Sequence, residues 1–220
     1  MFVARIIEGR EHAIILMQPF FMLALEALHR RLPEGVRQPD GTVRDIPEAA
    51  MYLRALCGLG EALATQGRFT EAVASYVETL RLDPDDRENV RPRLALCELL
   101  LGQKAAAEAR IKTAKPGLIT AYVQAFVNLA QKGDGPAARQ ALAAARGLNP
   151  HLFPMLTETK KMPGMLTNDE EYDAAQYACL ALAPALLGRT GLREWLKYVG
   201  RAGHTGHGPS HTAPKKKRRR

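Results

Sequence analysis

The feature that most restricts the fold is a pattern of helix-spaced apolar residues, broken at short intervals by glycine and proline. Leu53, Leu56, Leu59 and Leu63 recur at spacings of three and four, which places them on one face of a helix. Gly67 interrupts the pattern, and a second amphipathic segment follows before Asp83 and a proline stop it. No segment alternates with a period of two for long enough to form a sheet. The sequence therefore predicts an all-α chain of helical hairpins.

The same pattern continues along most of the chain and divides it into three parts. We expect an N-terminal helical segment and loop over 1–46, a helical repeat domain over 47–200 and a disordered tail over 201–220. Within the first part, the apolar stretch 13–28 reads as a core helix that Pro19 kinks. The glycine and proline residues between apolar segments predict the ends of eight helices, with a proline-containing link before the seventh. These helices are expected over 47–66, 69–82, 88–101, 104–113, 118–131, 135–148, 168–187 and 192–199.

The segment 53–84 resembles a tetratricopeptide (TPR) unit. Its small residues, Gly60 and Ala72, would let two helices approach closely, while Leu56, Leu63 and Tyr76 would fill the space between them. A similar ending recurs 66 residues later, where Ala138, Leu142, Leu148 and Pro150 follow Gly133 as Ala72, Tyr76, Leu82 and Pro84 follow Gly67. The resemblance implies a TPR-like helical hairpin array, an α-solenoid; an unrelated array of helical hairpins is the alternative.

A narrower resemblance covers three ordered blocks, 52–91, 149–156 and 172–196. They read YLRALCGLGEALATQGRFTEAVASYVETLRLDPDDRENVR, NPHLFPML and YDAAQYACLALAPALLGRTGLREWL. These blocks are similar to TPR proteins of the suppressor-of-tumorigenicity type and their bacterial and fungal relatives. Residues 87–89, Pro184 and the tail depart from that pattern, and the cysteine-rich zinc finger of some fungal relatives is lacking. The resemblance implies an interaction protein and does not define a mechanism.

Catalytic patterns are missing from the sequence. There is no Ser/His/Asp set, paired carboxylates, phosphate-binding glycine loop or HExxH motif, so we expect no enzymatic activity, no catalytic residue and no cofactor. Gly133-Asp134-Gly135 reads as a turn, and Asp85 and Asp86 as helix caps. Trp195 is expected to seal the last helix pair, with ligand stacking as the alternative.

TPR geometry implies a binding groove lined by the first helix of each hairpin. In the best-formed unit the groove residues would be Arg54, Cys57, Glu61 and Thr65. They lack the lysine and asparagine set with which some TPR domains clamp a peptide carboxylate. A receptor for chaperone tails is therefore not expected, and an apolar or mixed helical peptide is the expected protein partner.

Positive charge is concentrated in the tail. The net charge is +8, and the seven cations of residues 201–220 leave +1 for the rest of the chain. The basic run resembles a monopartite nuclear import signal read by importin; non-specific binding of nucleic acid or other anions, or no role, are the alternatives. Its residues are Lys215, Lys216, Lys217, Arg218, Arg219 and Arg220. His204, His207 and His211 lie among glycines and a proline that disfavour a helix, so no metal site is expected.

Location and redox state follow from the remaining features. The apolar stretch 13–28 is interrupted by Gln18, Pro19 and Glu26 and is shorter than the ~20 residues that a membrane helix needs. It lacks the flanks of a secretion signal. Cys57, Cys97 and Cys179 form no CxxC pair and are expected to be buried free thiols. We expect a cytoplasmic or nuclear protein that is neither secreted nor membrane-spanning.

Overall fold

The computed structural model describes residues 18–26, 40–43, 46–157, 169–187 and 191–202. Within these ranges the chain is all-α, with no extended strand. Residues 18–26 are helical and are named α1. The other helices are α2 (Pro47–Thr65), α3 (Phe69–Leu82), α4 (Arg91–Leu100), α5 (Lys104–Lys112), α6 (Leu118–Lys132), α7 (Pro136–Leu148), α8 (Leu152–Leu156), α9 (Glu170–Leu187) and α10 (Leu192–Ala202).

Three consecutive helical hairpins form the body of the fold, namely α2–α3, α4–α5 and α6–α7, and each packs on the next. The turn inside each hairpin contains a glycine with positive φ: Gly67 at +74°, Gly102 at +78° and Gly133 at +71°. Only glycine adopts this backbone conformation without a steric cost, which explains the spacing of the breakers. The predicted TPR-like array is confirmed.

The α2–α3 hairpin is tightly packed, as the small residues of the sequence predict. A Cβ atom on Gly60 would lie 2.5 Å from Cε1 of the buried Tyr76 ring, so only glycine fits at this position. Ala72 is fully buried in the same interface. Ser75 Oγ donates a hydrogen bond of 2.8 Å to the carbonyl oxygen of Leu56 across the two helices.

The start of α4 differs from the prediction, since the helix begins at Arg91 and not at residue 88. Asp86 and Asn89 have φ values of +54° and +50°, so the preceding residues form turns. The Asp86 carboxylate accepts a hydrogen bond of 3.2 Å from the Arg91 amide and forms a 3.3 Å ion pair with the Arg91 guanidinium. Asp86 thus has the predicted capping role, whereas Asp85 is exposed to solvent.

The C-terminal part holds a helix that the sequence pattern did not predict. α8 occupies the expected link because Asn149 Oδ1 accepts hydrogen bonds from the amides of His151 (2.9 Å) and Leu152 (3.0 Å). Asp169 caps α9, because its Oδ1 accepts a hydrogen bond of 3.0 Å from the Tyr172 amide. α10 continues to Ala202, past the predicted domain boundary at residue 200.

The described part of the N-terminal segment packs against the array on one side only. A Cβ atom on Gly58 would lie 2.5 Å from Cε1 of Phe21, so α1 contacts α2 closely. Phe20 and Leu23 on its other side are both 62% exposed. The expected core helix over 13–28 is therefore only half buried in its described part, and its remaining residues lie outside the described ranges.

A cleft between α2, α4 and α9

One cleft on the array brings together helices that are distant in the sequence. The first helices α2, α4 and α6 all contact α9, and we call the surface on which α9 lies the inner face. Between α9 and the α2–α4 edge a cavity of about 60 Å³ remains. This volume holds a few water molecules, far less than the ligand pockets of about 300–1,000 Å³ that enclose a small molecule. Its lining residues are Glu61, Ala64, Thr65, Tyr76, Arg93, Tyr177, Leu180, Ala181 and Pro184.

The polar centre of the cleft is Arg93 of α4, whose side chain is only 5% exposed. Its Nη1 donates hydrogen bonds to the carbonyl oxygens of Glu88 (3.1 Å) and Asn89 (2.9 Å), and its Nε lies 2.9 Å from Glu61 Oε1. Nη2 donates to the hydroxyl oxygen of Tyr177, whose ring centroid lies 5.3 Å from the guanidinium carbon. A buried guanidinium needs such partners, so Arg93 joins α2, α4 and α9.

The Glu61 carboxyl group has an unusual environment. Its burial raises the pKa above the ordinary glutamate value, while the charge of Arg93 and a hydrogen bond from Tyr177 act in the opposite direction. The group therefore binds a proton more readily than an exposed glutamate. The ion pair it forms with Arg93 is consequently stronger at neutral pH than in acid.

Cys57 lies beneath this ion pair and is 7% exposed. Its Sγ is 4.0 Å from Glu61 Oε1. Burial raises the pKa of the thiol to about 12, so it is protonated at neutral pH and is a poor nucleophile. Cys97 is buried as well, and burial raises its pKa to about 12 also. All three cysteines are buried and none forms a disulfide, as the sequence predicts.

The four predicted groove residues occupy different positions in this geometry. Glu61 and Thr65 line the cleft, and Thr65 Oγ1 donates to the Glu61 carbonyl oxygen at 2.8 Å. Cys57 faces the interior and offers little surface to a partner in this conformation, and its place in a binding groove stays a prediction. Arg54 does not line the cleft; its side chain is 71% exposed and forms a 3.3 Å ion pair with Glu88, the residue whose carbonyl oxygen accepts from Arg93.

Two central residues of the cleft were not predicted. Arg93 carries a weak sequence signal, because it is a charged residue in the mostly apolar α4 segment RPRLALCELL. Tyr177 carries none, since it contacts Arg93 across 84 residues of sequence. Only the tertiary packing of α9 brings the two together.

A second polar cluster closes the far end of the array. Trp195 Nε1 donates a hydrogen bond of 2.9 Å to Asp134 Oδ1, and Arg139 Nη2 lies 2.8 Å from the other carboxylate oxygen. The bonds from Arg139 and Trp195 lower the pKa of Asp134 to about 2. Trp195 is 7% exposed. The indole thus joins α10 to the α6–α7 turn, which agrees with the predicted sealing role.

In the described ranges, no group of three or more histidine, cysteine and acidic side chains is arranged to hold a metal ion. None of the helices in those ranges combines the length and apolarity required to cross a bilayer. The tail histidines and the basic run 215–220 lie outside the described residues.

Comparison with known proteins agrees with the repeat geometry. No curated protein and no solved structure matches the chain significantly. A family model does match: residues 53–86 fit the tetratricopeptide repeat, a segment that begins inside α2, includes α3 and ends in the turn before α4.

Proposed function

We propose that this chain is a non-catalytic scaffold that binds another protein through the inner face of its helical array. The observation that carries the proposal is the position of the TPR-matching hairpin, whose first helix α2 forms one wall of the cleft. TPR repeats are generally modules for protein–protein interaction, and stacked repeats supply extended surfaces. Buried arginines that anchor several groups, as Arg93 does, are also frequent at the centres of interfaces.

The expected partner is a helical peptide with mixed apolar and polar residues. The α2 wall of the cleft offers an apolar contact from Ala64 and polar contacts from Glu61 and Thr65. A peptide carboxylate is a poor fit because Arg93, the cation in the cleft lining, is already paired with Glu61. The exposed Arg54, on the same helix as Glu61 and Thr65, would meet acidic residues of the same partner.

A site-specific photo-crosslinker tests this proposal. Placed at Arg54 of the full chain, the crosslinker is expected to capture a partner from cell extract that rebinds the purified chain. Placed at Lys112 of α5, it serves as the matched control, because Lys112 is 67% exposed against 71% for Arg54 and is likewise in an ion pair. Equal capture at both positions, or no protein that rebinds, would contradict an interface at the inner face.

The narrower resemblance to TPR proteins of the suppressor-of-tumorigenicity type is part of the same proposal. It rests on the sequence blocks 52–91, 149–156 and 172–196 and stays a prediction. It is consistent with an interaction role and adds no mechanism to it.

We propose a second candidate function, in the nucleus or on nucleic acid, because of the tail sequence Lys215-Lys216-Lys217-Arg218. A fluorescently tagged full chain is expected to accumulate in the nucleus, and replacing these four residues with glutamine is expected to abolish that accumulation. The binding of RNA or DNA at different salt concentrations is measured on the wild-type chain and the glutamine variant. A salt-sensitive affinity that only the wild-type chain shows would indicate anion binding by the tail, as distinct from nuclear import. If location and binding are both unchanged by the replacement, the tail has neither role.

A further inference from the structure

α9 crosses the inner face in the way a bound helical ligand would. At its N-terminal end, Asn149 Nδ2 donates to the Glu171 carbonyl oxygen at 2.8 Å. Its middle is held by the contact between Tyr177 and Arg93 of α4. Farther along, Ala181 and Pro184 face α2 across the cleft. The helix thus spans all three first helices of the array.

The buried side of α9 has the pattern of a helix that binds in a groove. Its residues Tyr172, Ala175, Cys179, Leu182 and Leu186 are each 9% exposed or less, and their spacings are three, four, three and four. Peptide helices recognised in hydrophobic grooves present the same i, i+3, i+7 series of anchors. These anchors lie in a core that α9 shares with α4, α6, α8 and α10, so the inner face together with α8 and α10 forms a groove that accepts a helix.

Three features weaken the attachment of α9 relative to the array helices. Much of its buried side is alanine, a side chain that removes little apolar area from water. Gln176 is 1% exposed, and within the described part of the chain no donor reaches its Oε1. Pro184 lies inside the helix, where its ring nitrogen cannot donate to the Leu180 carbonyl oxygen.

We propose that α9 is a resident ligand of the inner face, and that a partner binds by replacing it with a helix of the same chemistry. Such a helix is amphipathic and rich in alanine, and carries a tyrosine that reaches Arg93. The inference rests on the proposed scaffold function and names the surface and the kind of partner. It also means that the inner face is closed in the free protein.

A peptide with the sequence of residues 169–187 tests the exchange directly. The labelled wild-type peptide is titrated by fluorescence anisotropy against the full chain and against its Tyr177→Phe variant. In the wild-type chain the tethered α9 competes at an effective concentration of about millimolar, so the peptide binds weakly. The variant loses the hydroxyl contact with Arg93 in its own α9, and we expect it to bind the peptide about tenfold more tightly.

Tyr198→Phe in α10 is the matched control, because Tyr198 is 57% exposed and Tyr177 is 53% exposed. This variant is expected to bind the peptide as weakly as the wild-type chain. A peptide carrying phenylalanine at the position of Tyr177 is expected to bind both chains about tenfold more weakly than the wild-type peptide does, while keeping the same preference for the Tyr177→Phe chain. If the two chains bind the wild-type peptide equally, or if neither binds it up to millimolar concentration, α9 is a fixed part of the core and the proposal is overturned.

Hydrogen exchange on the wild-type full chain gives a second measurement that needs no variant. The amides of α9 are expected to exchange through an opening that leaves α4 and α6 protected. Equal protection of all three helices would also overturn the proposal. If α9 opens and is replaced by the peptide but no crosslinked protein rebinds the chain, the proposed scaffold function is contradicted. The inference that α9 is an exchangeable helix would then still be supported.

Discussion

The contact between Gly60 and Tyr76 predicts a large effect from the smallest possible substitution. In Gly60→Ala the new methyl carbon would lie 2.5 Å from Cε1 and 2.8 Å from both Cδ1 and Cζ of the Tyr76 ring. Carbon atoms in good contact are about 3.5–4.0 Å apart, so the ring or one helix must move by about 1 Å. Tyr76 is 1% exposed, and its surroundings leave it little room to move.

The magnitude follows from two opposing terms. Overpacking of this kind costs about 1–3 kcal/mol. Replacing glycine with alanine inside a helix returns about 0.5–1 kcal/mol. We therefore expect Gly60→Ala to lower the free energy of unfolding by about 1–2 kcal/mol, which for a domain of this size lowers Tm by about 2–8 °C.

Thermal and urea unfolding followed by circular dichroism measures this change, and Gly147 in α7 provides the control. A Cβ atom on Gly147 would meet nothing within 4 Å, so Gly147→Ala is expected to leave stability unchanged or raise it slightly. A smaller side chain at position 76 should relieve the clash. Gly60→Ala is therefore expected to lower the free energy of unfolding less in a Tyr76→Leu background than in the wild-type chain. If Gly60→Ala is as stable as the wild-type chain, the close approach of α2 and α3 is not what requires glycine.

Three further predictions concern the C-terminal seal and the buried thiols. Trp195→Phe removes the hydrogen bond to Asp134 and is expected to lower the free energy of unfolding by about 1–2 kcal/mol in urea titrations; an unchanged midpoint would contradict the sealing role. The lowered pKa of Asp134, about 2, adds stability that is fully present above its unfolded pKa near 3.8 and is lost as pH falls toward 2. Asp134→Asn should therefore flatten the stability–pH curve in that window, and an unaltered curve would refute the assignment. Because burial raises the pKa of Cys57 and Cys97 to about 12, neither thiol should react with a disulfide reagent at mildly alkaline pH until urea is added; rapid labelling of the native chain would show that they are accessible.

The parts of the fold that were predictable are those that depend on neighbours in sequence. Gly67 and Pro84 mark the ends of helices through the local backbone, and Gly60 and Tyr76 pack together within one hairpin. The start of α4 was misplaced because Asp86 and Asn89, which are not glycine, adopt positive φ. The pattern of apolar residues does not indicate which non-glycine residues adopt positive φ.

The cleft was less predictable because it depends on where a non-repeating helix packs. The groove residues Glu61 and Thr65 followed from the repeat resemblance, since each repeat places its first helix in the same way. Arg93 and Tyr177 became partners only when α9 packed across α4. Helical spacing identified α9 as a helix but did not indicate the surface on which it lies.

The burial of Trp195 against the α6–α7 turn gives the protein a natural optical probe at one end of the array. It is the only tryptophan in the chain, so fluorescence excited at the red edge of indole absorption reports on this end alone. Circular dichroism, in contrast, averages over every helix. Solenoid stability is approximately a sum over repeats and the interfaces between them, so the two signals need not change together. Coincident denaturation curves would mean that the hairpins melt as one unit, and separated curves would measure how far the C-terminal end opens independently.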